Sequence, residues 1–222
     1  MNKLSLPLVL IFLVLALDQV LKVWVKLHMS LGESIPVFHD WFILHFTENE
    51  GMAFGMKLGG DNGKLILSIF RIIAVILMFI WLVRLSKKPR FNRFMAICLA
   101  LIIAGAMGNI LDSAFYGLFF GESDFHHVAE WLPAGGGYAG FLHGRVVDML
   151  YFPLIHGYYP SWIPVVGGDD FIFFRPVFNL ADSSITVGVF LLILFQKKFF
   201  SQQPDIPSTK NDLASRGNEN ST

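Results

Sequence analysis

The chain is 222 residues long, 54% hydrophobic and only 15% charged, with 17 basic against 17 acidic residues and a formal net charge of zero. A water-soluble domain carries about 25% charged residues, so the composition points to a membrane protein. The neutral balance offers no basis for a nucleic-acid partner, and the single cysteine, Cys98, excludes an intramolecular disulfide and reads as a packing residue.

At the N-terminus, Lys3 followed by apolar Leu4 to Leu17 has the look of a signal peptide. No small-x-small cleavage site follows. The run instead meets Asp18 and continues through Val20 to Val25, which predicts an uncleaved first membrane helix.

Crossing the hydrocarbon core takes about 20 apolar residues. By that measure the expected spans are roughly Leu6–Leu27, Leu65–Leu85, Phe94–Leu111 and Val177–Phe195. Arg84, Lys87, Lys88, Arg90 and Arg93 form a compact basic loop between the second and third. Lys3 precedes the first span, and Lys197 and Lys198 follow the fourth. By the positive-inside rule all of these are cytoplasmic, as are both termini. The long loops, about 28–64 and 113–176, are then outside. A single membrane domain over 1–200 is expected, followed by a polar cytoplasmic tail, 201–222, too poor in apolar residues to fold.

This topology places Asp18 and Lys22 in the outer half of helix 1 and Arg71 near the outer start of helix 2. It places Asn109 and Asp112 at the outer end of helix 3, and Asn179 and Asp182 at the outer start of helix 4. Intramembrane polar groups that gather at one depth mark a site.

The loops add less. Trp41 to Thr47 is aromatic and β-branched, then turns through Asn49-Glu50-Gly51, which predicts a small β-structure on the membrane surface. The 113–176 loop is rich in Gly, Pro and aromatics suited to the headgroup layer, with room for a short interfacial helix.

Asp182, at the mouth of helix 4, has its best candidate partner in Asp148. Two carboxylates sharing a site cannot both ionise comfortably, so one serves as general base and the other as general acid. The plainer alternative is that Asp182 caps its helix and Asp148 is an ordinary loop acid. Asp18 and Lys22, four apart, suit an intrahelical ion pair. Asn109 and Asp112 share a face beside Gly105 and Gly108; the amide either binds a substrate backbone or bridges two helices. Asn49-x-Gly51 is by itself a bare turn signal. The seven histidines show no His-Glu-x-x-His, and no Cys-x-x-Cys or Gly-x-Ser-x-Gly occurs, so neither a metal nor a serine nucleophile is expected.

Five motifs occur in order: Asp18-Gln19-x-x-Lys22, Asn49-x-Gly51-x-Ala53-Phe54-Gly55, Gly105-x-x-Gly108-Asn109-x-x-Asp112, Gly144-Arg145-Val146-Val147-Asp148 and Phe178-Asn179-x-Ala181-Asp182-Ser183. Together they resemble the bacterial lipoprotein signal peptidase family, signal peptidase II. The resemblance implies an all-α integral membrane protein of four helices with a small periplasmic β-cradle and a periplasmic loop or short helix, in the bacterial cytoplasmic (inner) membrane. It implies an aspartic endopeptidase with Asp148 and Asp182 as catalytic dyad. Asn49, Gly51, Gly108, Asn109, Asp112, Arg145, Asn179 and Ala181 would line or shape the substrate site, and Asp18 and Lys22 would support it. The implied substrate is a diacylglyceryl-modified prolipoprotein, met among membrane lipids and cut before its lipidated cysteine. Globomycin-type inhibitors are implied as well, and no cofactor.

Two departures stand out. Ser113 follows Asp112 where the family usually has arginine, and Arg145, close to Asp148 in the sequence, is the expected substitute for part of that charge. The connections 113–143 and 149–177 are longer than the family's usual ones. The rival readings are a small proton-coupled transporter and an export scaffold. The first is disfavoured because the chain has no internal repeat and its polar residues lie at one depth rather than along a path.

Overall fold

The computed structural model describes residues 3–50, 60–89 and 91–197, apart from the side chains of 60–62. Gly51 and the rest of its motif through Gly55, and the tail, lie outside the described residues. Among the described residues, three helices are long and apolar enough to cross a membrane: α1 (Ser5–His28), α2 (Gly60–Lys87) and α3 (Arg93–Leu111), which runs on through a π-helical turn (Asp112–Tyr116) into a last short turn, α4 (Gly117–Phe119). The fourth apolar helix, α5 (Leu180–Leu194), has 15 residues, about 22 Å at 1.5 Å per residue. That is shorter than the expected Val177–Phe195, because Val177 and Phe178 form strand β6 and Asn179 starts the helix.

α3 is the central helix, packed against α1, α2 and α5. Its N-terminus is capped by Asn92, whose side chain accepts the Met95 N–H at 3.1 Å. Ala96, Cys98, Leu99, Ala100, Ile103 and Ala104 are all buried. Small residues bring it close to α5: a Cβ on Gly105 would lie 2.2 Å from the Ala181 carbonyl oxygen, and one on Gly188 2.8 Å from that of Cys98. The outer faces stay apolar, with Phe12, Ile66, Phe70, Leu77 and Phe190 all more than 60% exposed, as lipid-facing surface requires.

The β-structure is more extensive than expected, so an all-α label does not describe the chain. β1 (Ser34–Phe38), β2 (Phe42–Asn49), β3 (Val146–Tyr151) and β6 form one antiparallel sheet in the order β1-β2-β3-β6. A separate hairpin pairs β4 (Ile155–Tyr158) with β5 (Asp170–Phe173). The sheet therefore joins both long loops and places Asp148 on a strand. One sheet face is a core of Phe46, Val147 and Met149 over Val25, Met29, Tyr116 and Phe120. By the two-residue alternation of strands, Asn49 and Asp148 belong to the other face. At the opposite end of the bundle, Lys3 Nζ donates to the Lys88 carbonyl at 2.9 Å, so the N-terminus lies beside the basic α2–α3 connection.

Candidate active site

α1 brings Asp18, Gln19 and Lys22 to the site on successive turns. Lys22, fully buried, has three N–H donors, and three oxygens meet them: Asp18 Oδ2 at 2.9 Å, Asp112 Oδ2 at 2.8 Å and Asn109 Oδ1 at 3.0 Å. The predicted Asp18–Lys22 pair is thus part of a cluster that ties α1 to the outer end of α3. A buried ion pair repays its desolvation only when its remaining hydrogen bonds are satisfied, and here they are. Asp18 Oδ1 accepts the Ala181 N–H at 2.9 Å, which ties α1 to the start of α5.

Asp112 opens the π-helical turn, a backbone irregularity common at functional sites. Its oxygens take Gln19 Nε2 at 2.9 Å, Lys22, and the Val147 N–H at 3.3 Å, so the side chain is a strut between α1 and β3. Tyr116 donates to Gln19 Oε1 at 3.1 Å. A Cβ on Gly108 would lie 2.7 Å from Asp18 Oδ2, and one on Gly144 2.2 Å from the Asp112 carbonyl. The two glycines thus admit the α1 carboxylate and the chain leading into β3.

Asn179 caps α5, its Oδ1 accepting the Asp182 N–H at 2.8 Å. Its Nδ2 donates to Asp148 Oδ1 at 2.7 Å and lies 3.2 Å from the Val147 carbonyl. The Asn49 amide donates to Asp148 Oδ2, and Asn109 Nδ2 donates to Asp182 Oδ1 at 2.8 Å. Asp148 and Asp182 are therefore linked by one chain of two asparagines: Asn179 donates to Asp148, its Nδ2 lies 3.3 Å from Asn109 Oδ1, and Asn109 donates to Asp182. Burial first, and then the charge of Asp182, push the Asp148 carboxyl up from 3.8 to about 7, against the opposing effect of the Asn49 and Asn179 amides and Lys22.

Asn49, Asn109, Asp112, Asp148, Asn179, Ala181 and Asp182, with Asp18 and Lys22, thus converge from α1, α3, α5 and two strands. Asp182 does not cap its helix: the cap is Asn179, and Asp182 lies in the first turn, where its N–H meets the Asn179 side chain. Gln19 and Tyr116, not singled out among the candidates, complete the hydrogen bonding; Gln19 stands inside the first motif, but Tyr116 has no local signal. Arg71 acts electrostatically on Asp182 first and Asp112 second.

Arg145 departs from expectation. Its guanidinium meets Glu122 at 3.0 Å, Glu48 at 3.4 Å and Glu50 at 3.8 Å, so its charge is taken up by glutamates. Arg145 lies three residues from Asp148 along an extended segment, which turns the two side chains to opposite faces. The cation on Asp112 is Lys22. Ser113 is buried and donates to the Asn109 carbonyl at 3.0 Å. No group of His, Cys, Asp or Glu among the described residues is arranged to hold a metal.

The family profile described as Signal peptidase (SPase) II matches residues 10–198. A lipoprotein signal peptidase of Porphyromonas gingivalis is 52% identical over 185 residues, covering 83% of this chain and 80% of the relative. One of Amoebophilus asiaticus is 38% identical over 196 residues, covering 86% and 77%. A bacterial membrane enzyme solved by the in meso method at 1.9 Å resolution superposes with a TM-score of 0.55 at 26% identity, covering 88% of this chain and 97% of its own. Profile and relatives span most of the chain and include the helices and strands that build the carboxylate site: the chain belongs to the signal peptidase II family.

Proposed function

We propose that this membrane protease is an aspartic endopeptidase that removes the signal peptide from diacylglyceryl-modified prolipoproteins, with Asp148 and Asp182 as its dyad. The observation that carries the reading is the asparagine chain that links the two carboxylates through Asn179 and Asn109, with the Asp148 carboxyl raised to about 7 by burial and by Asp182. A pair of this kind shares one proton. The ionised member takes a proton from a water, which attacks the scissile carbonyl, and the protonated member gives its proton to the departing amine. Asp148 is the proton-holding member at rest. Asn49, Asn109 and Asn179 orient the two carboxylates, and Asp18, Lys22 and Asp112 fix the helix ends that carry them.

In this reading α5 is the fourth span of one membrane domain over 1–200, continued by helical Gln196 and Lys197 toward the basic end. The sheet is the periplasmic cradle, and the dyad lies under the outer leaflet of the inner membrane with both termini cytoplasmic. The contact of Lys3 with Lys88 supports this orientation, because it gathers the basic groups at the end away from the dyad. A lipid-bearing substrate then reaches the dyad from the bilayer among membrane lipids, and globomycin-type peptides compete for the same place.

The test is a gel-shift assay of a diacylated prolipoprotein in nanodiscs with folded wild type, Asp148→Asn and Asp182→Asn. Cleavage by wild type alone is expected. Cleavage by either variant removes that aspartate from the mechanism.

A further inference from the structure

The long segment 113–143 packs beneath the sheet, on the face away from Asp148. There Lys26, one turn beyond Lys22 on α1, is fully buried. Its ammonium pairs with Glu48 on β2, hydrogen-bonds Ser123 Oγ at 2.8 Å and lies 5.5 Å and 5.0 Å from the ring centres of Phe120 and Tyr138. Glu48, whose side chain is 2% exposed, also accepts from Ser123 at 3.1 Å and from Arg145. Arg145 completes the group: its guanidinium lies over the Tyr138 ring at 5.1 Å and pairs with Glu122, and its backbone N–H donates to the Tyr138 hydroxyl at 2.6 Å. Phe120, Glu122, Ser123 and Tyr138 all come from the long segment. The two residues they secure flank the site: Glu48 immediately precedes Asn49 on β2, and Arg145 leads into β3. In register Glu48 faces Val147 and Asn49 faces Val146, so Asn49 reaches Asp148 on the diagonal. A small shift of β2 therefore moves the amide that donates to Asp148.

We propose that segment 113–143 is a brace: through Ser123, Glu122 and Tyr138 it locks Lys26, Glu48 and Arg145, and thereby positions the Asn49 amide on Asp148. Lys26 and Glu48 are positioning residues, without contact to the reacting atoms. The inference rests on the aspartic-dyad reading. Removing a buried partner also weakens folding, so the readout is the pH dependence of cleavage rather than activity alone. The Asn49 donor stabilises the ionised Asp148 carboxylate, so its displacement raises the value at which the proton-holding Asp148 ionises and moves the alkaline limb of the pH profile to higher pH.

The experiment compares Glu48→Gln, the milder Ser123→Ala, Asn49→Ala and the double variant Glu48→Gln/Asn49→Ala, with Asp148→Asn as reference, on a diacylated prolipoprotein in nanodiscs. Glu48→Gln is expected to lower kcat about 10- to 100-fold, the range for misplaced active-site groups, with KM little changed and the alkaline limb moved upward. Ser123→Ala is expected to move the limb in the same direction by less. The double variant is expected to match Asn49→Ala, since both act through one hydrogen bond. Should Glu48→Gln fail to fold, Ser123→Ala and its double with Asn49→Ala carry the same comparison. An unshifted limb in the folded variants, or effects that add to that of Asn49→Ala, would overturn the brace. Retained cleavage by Asp148→Asn would instead overturn the dyad reading itself.

Discussion

Asn179 donates through its Nδ2 to Asp148 Oδ1 at 2.7 Å while its own Oδ1 caps the helix that carries Asp182. One side chain therefore fixes a strand carboxylate relative to a helix carboxylate. Asn179→Ala loses the cap, worth about 1 kcal/mol, and the donor together; cleavage should fall about 100-fold or more. Asn179→Ser keeps a capping oxygen but cannot reach Asp148. It should unfold near the wild-type temperature and still cleave poorly, and paired thermal-unfolding and cleavage assays separate the two effects.

Asp148 gives stability a pH dependence of definite sign. Its folded value of about 7 exceeds the ordinary 3.8, so between those pH values the folded state binds more protons than the unfolded one. Stability then falls as pH rises from about 4 to 7 and levels off above, by on the order of a few kcal/mol. Asp148→Asn should remove this slope and gain relative to wild type as pH rises. Unfolding temperatures in detergent at pH 5, 6, 7 and 8 test it; parallel curves for the two proteins would contradict the buried, proton-holding aspartate.

Lys22→Met should be severely destabilising, because it leaves Asp18 and Asp112 buried without their cation. Breaking a buried pair on one side costs about 3–5 kcal/mol. Replacing the partners too, as Asp18→Asn/Lys22→Met/Asp112→Asn, should recover part of the loss in stability. It should not recover cleavage, since the tie from Asp112 to Lys22 is gone and the Asn109 oxygen loses its Lys22 donor. Denaturation midpoints for the single and triple variants decide this.

Gly105→Ala should separate α3 from α5, since the added methyl meets the Ala181 carbonyl oxygen at 2.2 Å. A loss of about 1–3 kcal/mol is expected, with cleavage falling further because Asn109 and Asp182 sit on the helices pushed apart. Gly135→Ala, with nothing within 4 Å of the added atom, should stay within about 0.5 kcal/mol of wild type. Equal effects at the two positions would refute the close-approach argument.

Much of this protein is determined locally. Apolar runs of spanning length, interrupted by Asp18, Lys22, Asn109 and Asp112, specify helices whose polar groups must find one another, because hydrocarbon offers them no other partner. Basic residues at one end of the runs fix which ends those are. The gathering of Asp18, Lys22, Asn109, Asp112 and Asp182 at one end of the bundle was legible for that reason, whereas the helix cap offered to Asp182 belongs to Asn179. What only the tertiary structure decided is how the segments outside the helices are used. Strand β3 pairs with β2, more than ninety residues earlier in the chain, so no local pattern announces that Asp148 stands on a central strand or that Arg145 turns away from it toward Glu48 and Glu122. The residues around Lys26 likewise come from distant parts of the chain. Their pairing was invisible in the sequence because a buried charge is placed by its partners, and those partners become neighbours only when sheet and bundle close on each other.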